Sequence, residues 1–161
     1  MATLILMIGL PGSGKTTFAR RIERDRPALR LSPDDWITPL YGSDPSPETL
    51  DACRDPLEAV QWSVAARALE LGLDVVLDFG LWTKREREDF RARAASLGAG
   101  SEIRYLEVSR GELSARVTAR NADPQEHTFR VTEEQLDLWW AAFEPPTGDE
   151  LEPRPPTSPS R

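Results

Sequence analysis

Apolar and polar positions along this chain follow two rhythms in turn. Thr3-Leu-Ile-Leu-Met-Ile8 is an almost unbroken apolar run closed by Gly9. Such a run suits a strand buried on both faces of a parallel sheet. Gly14 to Glu23 predicts a helix, broken by Asp25-Arg-Pro27, and Ala28 to Ser32 a short second strand. Ser32, Pro33, Asp34 and Asp35 read as the cap and first turn of another helix. Asp55-Pro56-Leu57-Glu58 reads as a further helix start. Leu57, Val60, Val64, Ala68 and Leu71 then recur at three- and four-residue steps until Gly72 stops the helix. Asp74 to Phe79 predicts a third strand and Glu102 to Val108 a fourth. Thr83 with Glu86, Ser109 with Glu112, and Thr132 with Gln135 have the spacing that opens helices, to about Leu97, Arg120 and Phe143 respectively. Asn121 to Arg130 is polar without a period and reads as a loop.

Strands alternating with helices predict an α/β fold with a mainly parallel sheet of four or five strands. Four are evident in the pattern. The segment from Glu144 to Arg161 carries one aliphatic residue, Leu151, and six of the chain's 14 prolines. It reads as a disordered, Pro-rich acidic tail outside the core. The expected organisation is therefore one folded domain over 1–143 and a tail over 144–161.

Composition narrows the class. The 161 residues include 20 basic and 27 acidic ones, for a net charge of −7. That balance argues against a general nucleic-acid coat. The single Cys53 excludes an internal disulfide and favours a reducing, cytoplasmic setting. The longest apolar run, Leu4 to Leu10, is far shorter than the roughly 20 residues of a membrane span. No secretory leader is expected. Only two of the basic residues are lysines, Lys15 and Lys84, and the first lies in a glycine-rich loop.

That loop, Gly9-Leu-Pro-Gly-Ser-Gly-Lys-Thr16, satisfies G-x-x-x-x-G-K-[ST] and is followed by Thr17. The backbone N–H groups around Gly9, Pro11, Gly12, Ser13 and Gly14 can turn inward onto phosphate oxygens. The helix N-terminus adds its positive end. Lys15 would reach the β- and γ-phosphates and Thr16 would bind Mg²⁺. Asp78 ends a short apolar strand, which matches the second metal-holding position of such sites. Its bland alternative is a carboxylate capping the next turn.

Three stretches carry a family resemblance: GLPGSGKTTFAR at 9–20, LSPDDW at 31–36 and GELSARVTARN at 111–121. The chain resembles the small P-loop kinases that include the phage polynucleotide kinase domain, the zeta toxins and chloramphenicol phosphotransferase. Proteins of this group are also described as AAA-domain ATP-binding proteins. The resemblance implies a three-layer α/β/α P-loop fold, with ATP and Mg²⁺ bound. It implies that Asp34 is the general base for an acceptor hydroxyl and that Asp35 supports the helix or the metal shell. It also implies that Arg120, with Arg116 one turn before it, closes over the transferring phosphate, with Arg130 as a third contact. Polynucleotide kinases carry an arginine three residues beyond the base, where this chain has Ile37.

The chemistry supports the same assignment without the family. Phosphoryl transfer needs a carboxylate to take the acceptor's proton. The second and third strands end at the sheet edge where the phosphate loop lies, so Asp34 and Asp78 can both face it. Arg116 and Arg120, four apart, share a helix face. Around the acceptor, Asp35, Trp36, Tyr41, Trp62, Phe79, Trp82, His127 and Phe129 are candidates, with core packing the alternative for Trp82. Residues 84–93 read as a salt-bridged, solvated helix face. The expected activity is ATP-dependent phosphorylation of a small-molecule hydroxyl, on a nucleoside, nucleotide sugar or antibiotic-like compound. The alternatives are a 5′-hydroxyl polynucleotide kinase and a nucleotide-binding switch or ATPase without an acceptor.

Overall fold

A computed structural model describes residues 1–42, 45–123 and 130–156. Four parallel strands form the sheet in the order β2-β3-β1-β4, with β1 Thr3–Ile8, β2 Ala28–Leu31, β3 Asp74–Gly80 and β4 Gly100–Tyr105. Between and after them run α1 Lys15–Asp25, α2 Pro33–Tyr41, α3 Pro47–Glu70, α4 Lys84–Ser96, α5 Arg110–Ala122, α6 Glu133–Ala142 and α7 Gly148–Leu151.

The central strand β1 is buried on both sides, as its unbroken apolar run requires. Leu4, Leu6 and Ile8 face α3 and α4 together with Val75, Leu77 and Phe79. Ile5 and Met7 face α1, against Phe18, Ala19 and Ile22. The result is the three-layer α/β/α arrangement. α5 and α6 pack on each other through Leu113, Val117 and Leu136, against Leu10 of the glycine-rich loop.

Three expectations are corrected. First, α3 begins at Pro47, eight residues before the expected start. Ser46 caps it, its Oγ accepting from the Thr49 N–H at 3.2 Å. Pro56 lies inside the helix on an exposed face, where water can satisfy the carbonyl it leaves unpaired. The buried stripe also differs in phase: Cys53, Leu57, Gln61, Ala65 and Ala68 face inward, while Val60, Val64 and Leu71 are exposed. Gln61 tolerates full burial because its Nε2 donates to Ser32 O at 3.0 Å.

Second, the segment after Phe143 is not outside the core as far as Pro156. Glu150 of α7 is 1% exposed and accepts from Arg87 Nε at 2.8 Å and Nη2 at 3.2 Å. Arg91 donates to Glu150 O at 2.5 Å and Glu152 O at 2.7 Å. Arg154 pairs with Ser101 in an antiparallel bridge on the free edge of β4. Among the described residues the sheet has four strands, and this bridge occupies the edge where a fifth would add. Residues 157–161 lie outside the described residues.

Third, the charged run 84–93 is not a solvated face throughout, because Arg87 and Arg91 are fully buried anchors for that segment. Smaller differences affect β4, which runs 100–105 rather than 102–108, and α5, which continues to Ala122.

Candidate active site

The glycine-rich loop joins β1 to α1. Its backbone needs glycine at two points in particular. Gly9 has φ +148°, and a Cβ there would lie 2.6 Å from Ser13 Oγ. Gly12 has φ +87°, and a Cβ would press on Val117 of α5 at 3.1 Å. Pro11 is half-buried and Ser13 buried, the Ser13 N–H donating to Leu10 O at 3.1 Å. Gly14 caps α1 with no side chain to offer, and the first turn of α1 holds no acid. The helical bonds begin with Phe18 N–H on Gly14 O. The N–H groups of Lys15, Thr16 and Thr17 therefore have no intrahelical acceptor, at the positive end of the helix. This is the geometry of an anion cradle.

Lys15 folds back over that cradle, its Nζ donating to Leu10 O at 3.0 Å. Desolvation pulls its ammonium below the ordinary value. Asp78 and Asp34 push it back up, and Arg120 and Arg54 add to the lowering. Four charged groups from α2, α3, β3 and α5 thus converge on one lysine. Thr16 Oγ1 donates to Asp78 Oδ2 at 2.8 Å. Asp78 is buried at the end of β3, where Gly80 and Leu81 both turn with positive φ, +95° and +43°. Burial pushes the Asp78 carboxyl up, opposed by Lys15, Thr16 and Arg30.

A hydroxyl and a carboxylate side by side at the cradle are hard oxygen donors, which fit Mg²⁺. Among the described residues no group of three or more His, Cys, Asp or Glu could hold a metal alone. Mg²⁺ takes few protein ligands and completes its shell with phosphate oxygens and water.

The paired aspartates at the start of α2 separate in their contacts. Asp35 is bound by Arg30, whose side chain is 9% exposed and also lies 3.7 Å from Asp78. Asp34 accepts from Arg54 Nη2 of α3 at 3.0 Å. From α5, Arg120 is half-buried with its Nε lacking a hydrogen-bond partner among the described residues. Burial lowers its guanidinium, and Asp34 opposes that. An unpaired buried donor beside a phosphate cradle is what an incoming anion would satisfy. Arg116 is exposed, pairs with Glu112, and its Nη1 lies 3.4 Å from the Gly12 and Ser13 carbonyls. Arg130 is exposed.

The aromatic candidates mostly pack. Trp82 sits on Trp139, ring centroids 5.7 Å apart. Trp36 is half-buried between two core clusters. Trp62 and Phe79 both make edge contacts with Phe90. Tyr41 is exposed. His127 and Phe129 lie outside the described residues. Behind the loop, a cavity of about 150 Å³ is lined by Gly9, Ser13, Tyr105, Leu106, Trp140, Phe143 and Pro145 among others. Arg30, Arg54 and Glu58 were not singled out from the sequence. In a chain with 18 arginines among 20 basic residues, nothing local marks them.

A family model described as "AAA domain" matches residues 4–146. No curated protein matches the sequence. Solved structures share the fold. A chain of the Pnkp1/Rnl/Hen1 RNA repair complex is 22% identical over 97% of this chain and 49% of its own, with a TM-score of 0.66. Kti12 of Chaetomium thermophilum, solved in complex with ADP-AlF3, is 21% identical over 89% of this chain and 81% of its own, with a TM-score of 0.65. A sugar kinase from Janibacter sp. is 17% identical over 93% of this chain and 82% of its own, with a TM-score of 0.62. This chain spans about half the length of the RNA repair chains it matches.

Proposed function

Because the chain belongs to the AAA-domain family, matched over residues 4–146, we propose that it is an ATP-dependent kinase for a hydroxyl of a small molecule. The family match supports a P-loop nucleotide site; the phosphotransferase activity, the acceptor class and the residue roles are the proposed step. The observation that carries the proposal is the anion cradle with Lys15 folded over it and Thr16 bonded to Asp78 at 2.8 Å, where Asp34 and Arg120 also act on the Lys15 charge.

In this reading the loop amides and Lys15 bind the triphosphate, Lys15 exchanging Leu10 O for a phosphate oxygen. Thr16 and Asp78 would hold Mg²⁺, which neutralises phosphate charge as the γ-group transfers. Asp34 accepts the proton of the acceptor hydroxyl. Arg120, and Arg116 at the loop rim, balance the charge on the transferring group. Asp35 acts through Arg30, which binds it and lies 3.7 Å from Asp78.

A 5′-hydroxyl polynucleotide kinase is the second reading, favoured by the likeness to the RNA repair chain. Against it stand the net charge of −7 and Ile37, which is fully buried where polynucleotide kinases carry an arginine. The test uses γ-labelled ATP, Mg²⁺ and two acceptor pools, with Lys15→Ala as the blank. One pool holds 5′-hydroxyl oligonucleotides; the other holds nucleosides, nucleotide sugars and hydroxylated antibiotics. Label on a small molecule is the expected result. Label on oligonucleotides would replace it with the second reading, and release of free phosphate alone with an acceptor-free ATPase.

A further inference from the structure

Ile37 leaves the acceptor side without a cation from α2, and α3 supplies one instead. Ile37, Cys53 and Leu57 form a small buried cluster that locks α2 onto α3. Arg54 follows Cys53 directly, and its two guanidinium arms divide. Nη2 binds Asp34 Oδ1 at 3.0 Å, and Nη1 lies 3.8 Å from Glu58 Oε1, one turn along α3.

We propose that Arg54 is the positioning residue of the proposed base, holding the Asp34 carboxylate in its orientation, while Glu58 competes for the same guanidinium and sets the strength of that hold. This rests on Asp34 being the base. A guanidinium arm on Oδ1 fixes the carboxylate's rotation and leaves Oδ2 to receive the acceptor's proton.

Glu58 makes the hold adjustable. Its side chain is 22% exposed. Burial pushes its carboxyl up to about 7, with Arg54 opposing and Asp55, Glu86 and Asp34 adding to the rise. These groups face it from its own helix, from α4 and from α2. Below about pH 7 Glu58 is neutral, and Arg54 serves Asp34 alone. Above it, anionic Glu58 draws the guanidinium and adds negative charge nearby. The Arg54 arm on Asp34 is therefore held least firmly once Glu58 is ionised, and the orientation of the proposed base loosens as pH rises through about 7.

The test titrates the side-chain carboxyl resonances of the full chain, carbon-13 labelled, by NMR between pH 3 and 9 without nucleotide. The Asp34 carboxyl resonance is expected to shift as Glu58 ionises near pH 7 and draws the guanidinium away, a change that Glu58→Gln removes. Arg54→Met should move the Glu58 midpoint up by about 1 unit or more, and Arg54→Lys, which keeps the charge, should restore most of it. The proposal is overturned if the wild-type Asp34 resonance is flat between pH 6 and 8. It is equally overturned if Arg54→Met leaves Glu58 where it was. Glu58→Gln carries the test alone should Arg54→Met fail to fold. The titration needs no acceptor, whereas loss of label transfer in Asp34→Asn tests the base itself, so either reading can fail without the other.

Discussion

Lys15 shows the cost of preparing a phosphate site before the phosphate arrives. Its ammonium is desolvated, with one carbonyl as its hydrogen-bond acceptor. Removing that charge relieves the folded state, so Lys15→Met should stabilise the nucleotide-free protein by about 1 kcal/mol, or roughly 2–4 °C in Tm. The sign with pH follows from the lowered folded value. The unfolded chain keeps this proton longer, so wild-type stability gains as pH climbs from the lowered value toward 10.5. Lys15→Met should lose that gain in calorimetry. Glu58 carries the opposite slope. Its folded value, about 7, lies above the ordinary 4.5, so the folded state holds the extra proton and stability falls across that window. Glu58→Gln should abolish the fall. At pH 8 it should be more stable than wild type by up to about 3 kcal/mol in urea titrations.

Among the elements, α4 and α7 are joined by a buried ion pair. Arg87 donates to both Glu150 oxygens and to the Leu81, Trp82 and Glu144 carbonyls. A buried pair of this kind adds little net stability when intact, but losing one partner strands the other. Glu150→Ala should therefore destabilise by about 3–5 kcal/mol, and a chain ending at Phe143 should do no better, as read by chemical denaturation. Burial would raise the Glu150 carboxyl, but Arg87 and the Thr147 N–H outweigh it and hold it below its ordinary value. Its contribution is present above pH 4.5 and is lost as pH falls through the lowered value. Acid should thus release α7 before the sheet melts. Exchange of the Ser101 and Arg154 amides, which bond each other's carbonyls at 2.9 and 2.8 Å, would report it.

At the scale of the molecule, the sheet brings groups from α1, β3, α2, α3 and α5 to one end, and the roles proposed for them are separable. Binding MgATP at 100 times Kd should stabilise wild type by about 2.7 kcal/mol. Asp34→Asn should keep nearly all of that shift while transfer falls by about 10²–10⁴-fold. Gly12→Ala, strained at φ +87° and pressed on Val117, should lose the shift itself. Thermal shift with and without MgATP, beside label transfer, separates these outcomes. Among the described residues no helix is long and apolar enough to cross a membrane.

The cradle Gly9–Thr16, Asp78 at a strand end and the Asp34-Asp35 pair were legible in the chain. Each is a short-range pattern whose chemistry depends on neighbours in sequence. The alternation of strand and helix was legible for the same reason, since apolar periodicity reports which face is dry. Three-dimensional structure alone decided the rest. It set Arg54 against Asp34, 20 residues away, and Arg30 between Asp35 and Asp78. It buried Arg87 with Glu150, 63 residues apart. Polar pairs have no period, and an arginine's burial is set by what folds over it, so only tertiary packing could select these partners from 18 arginines.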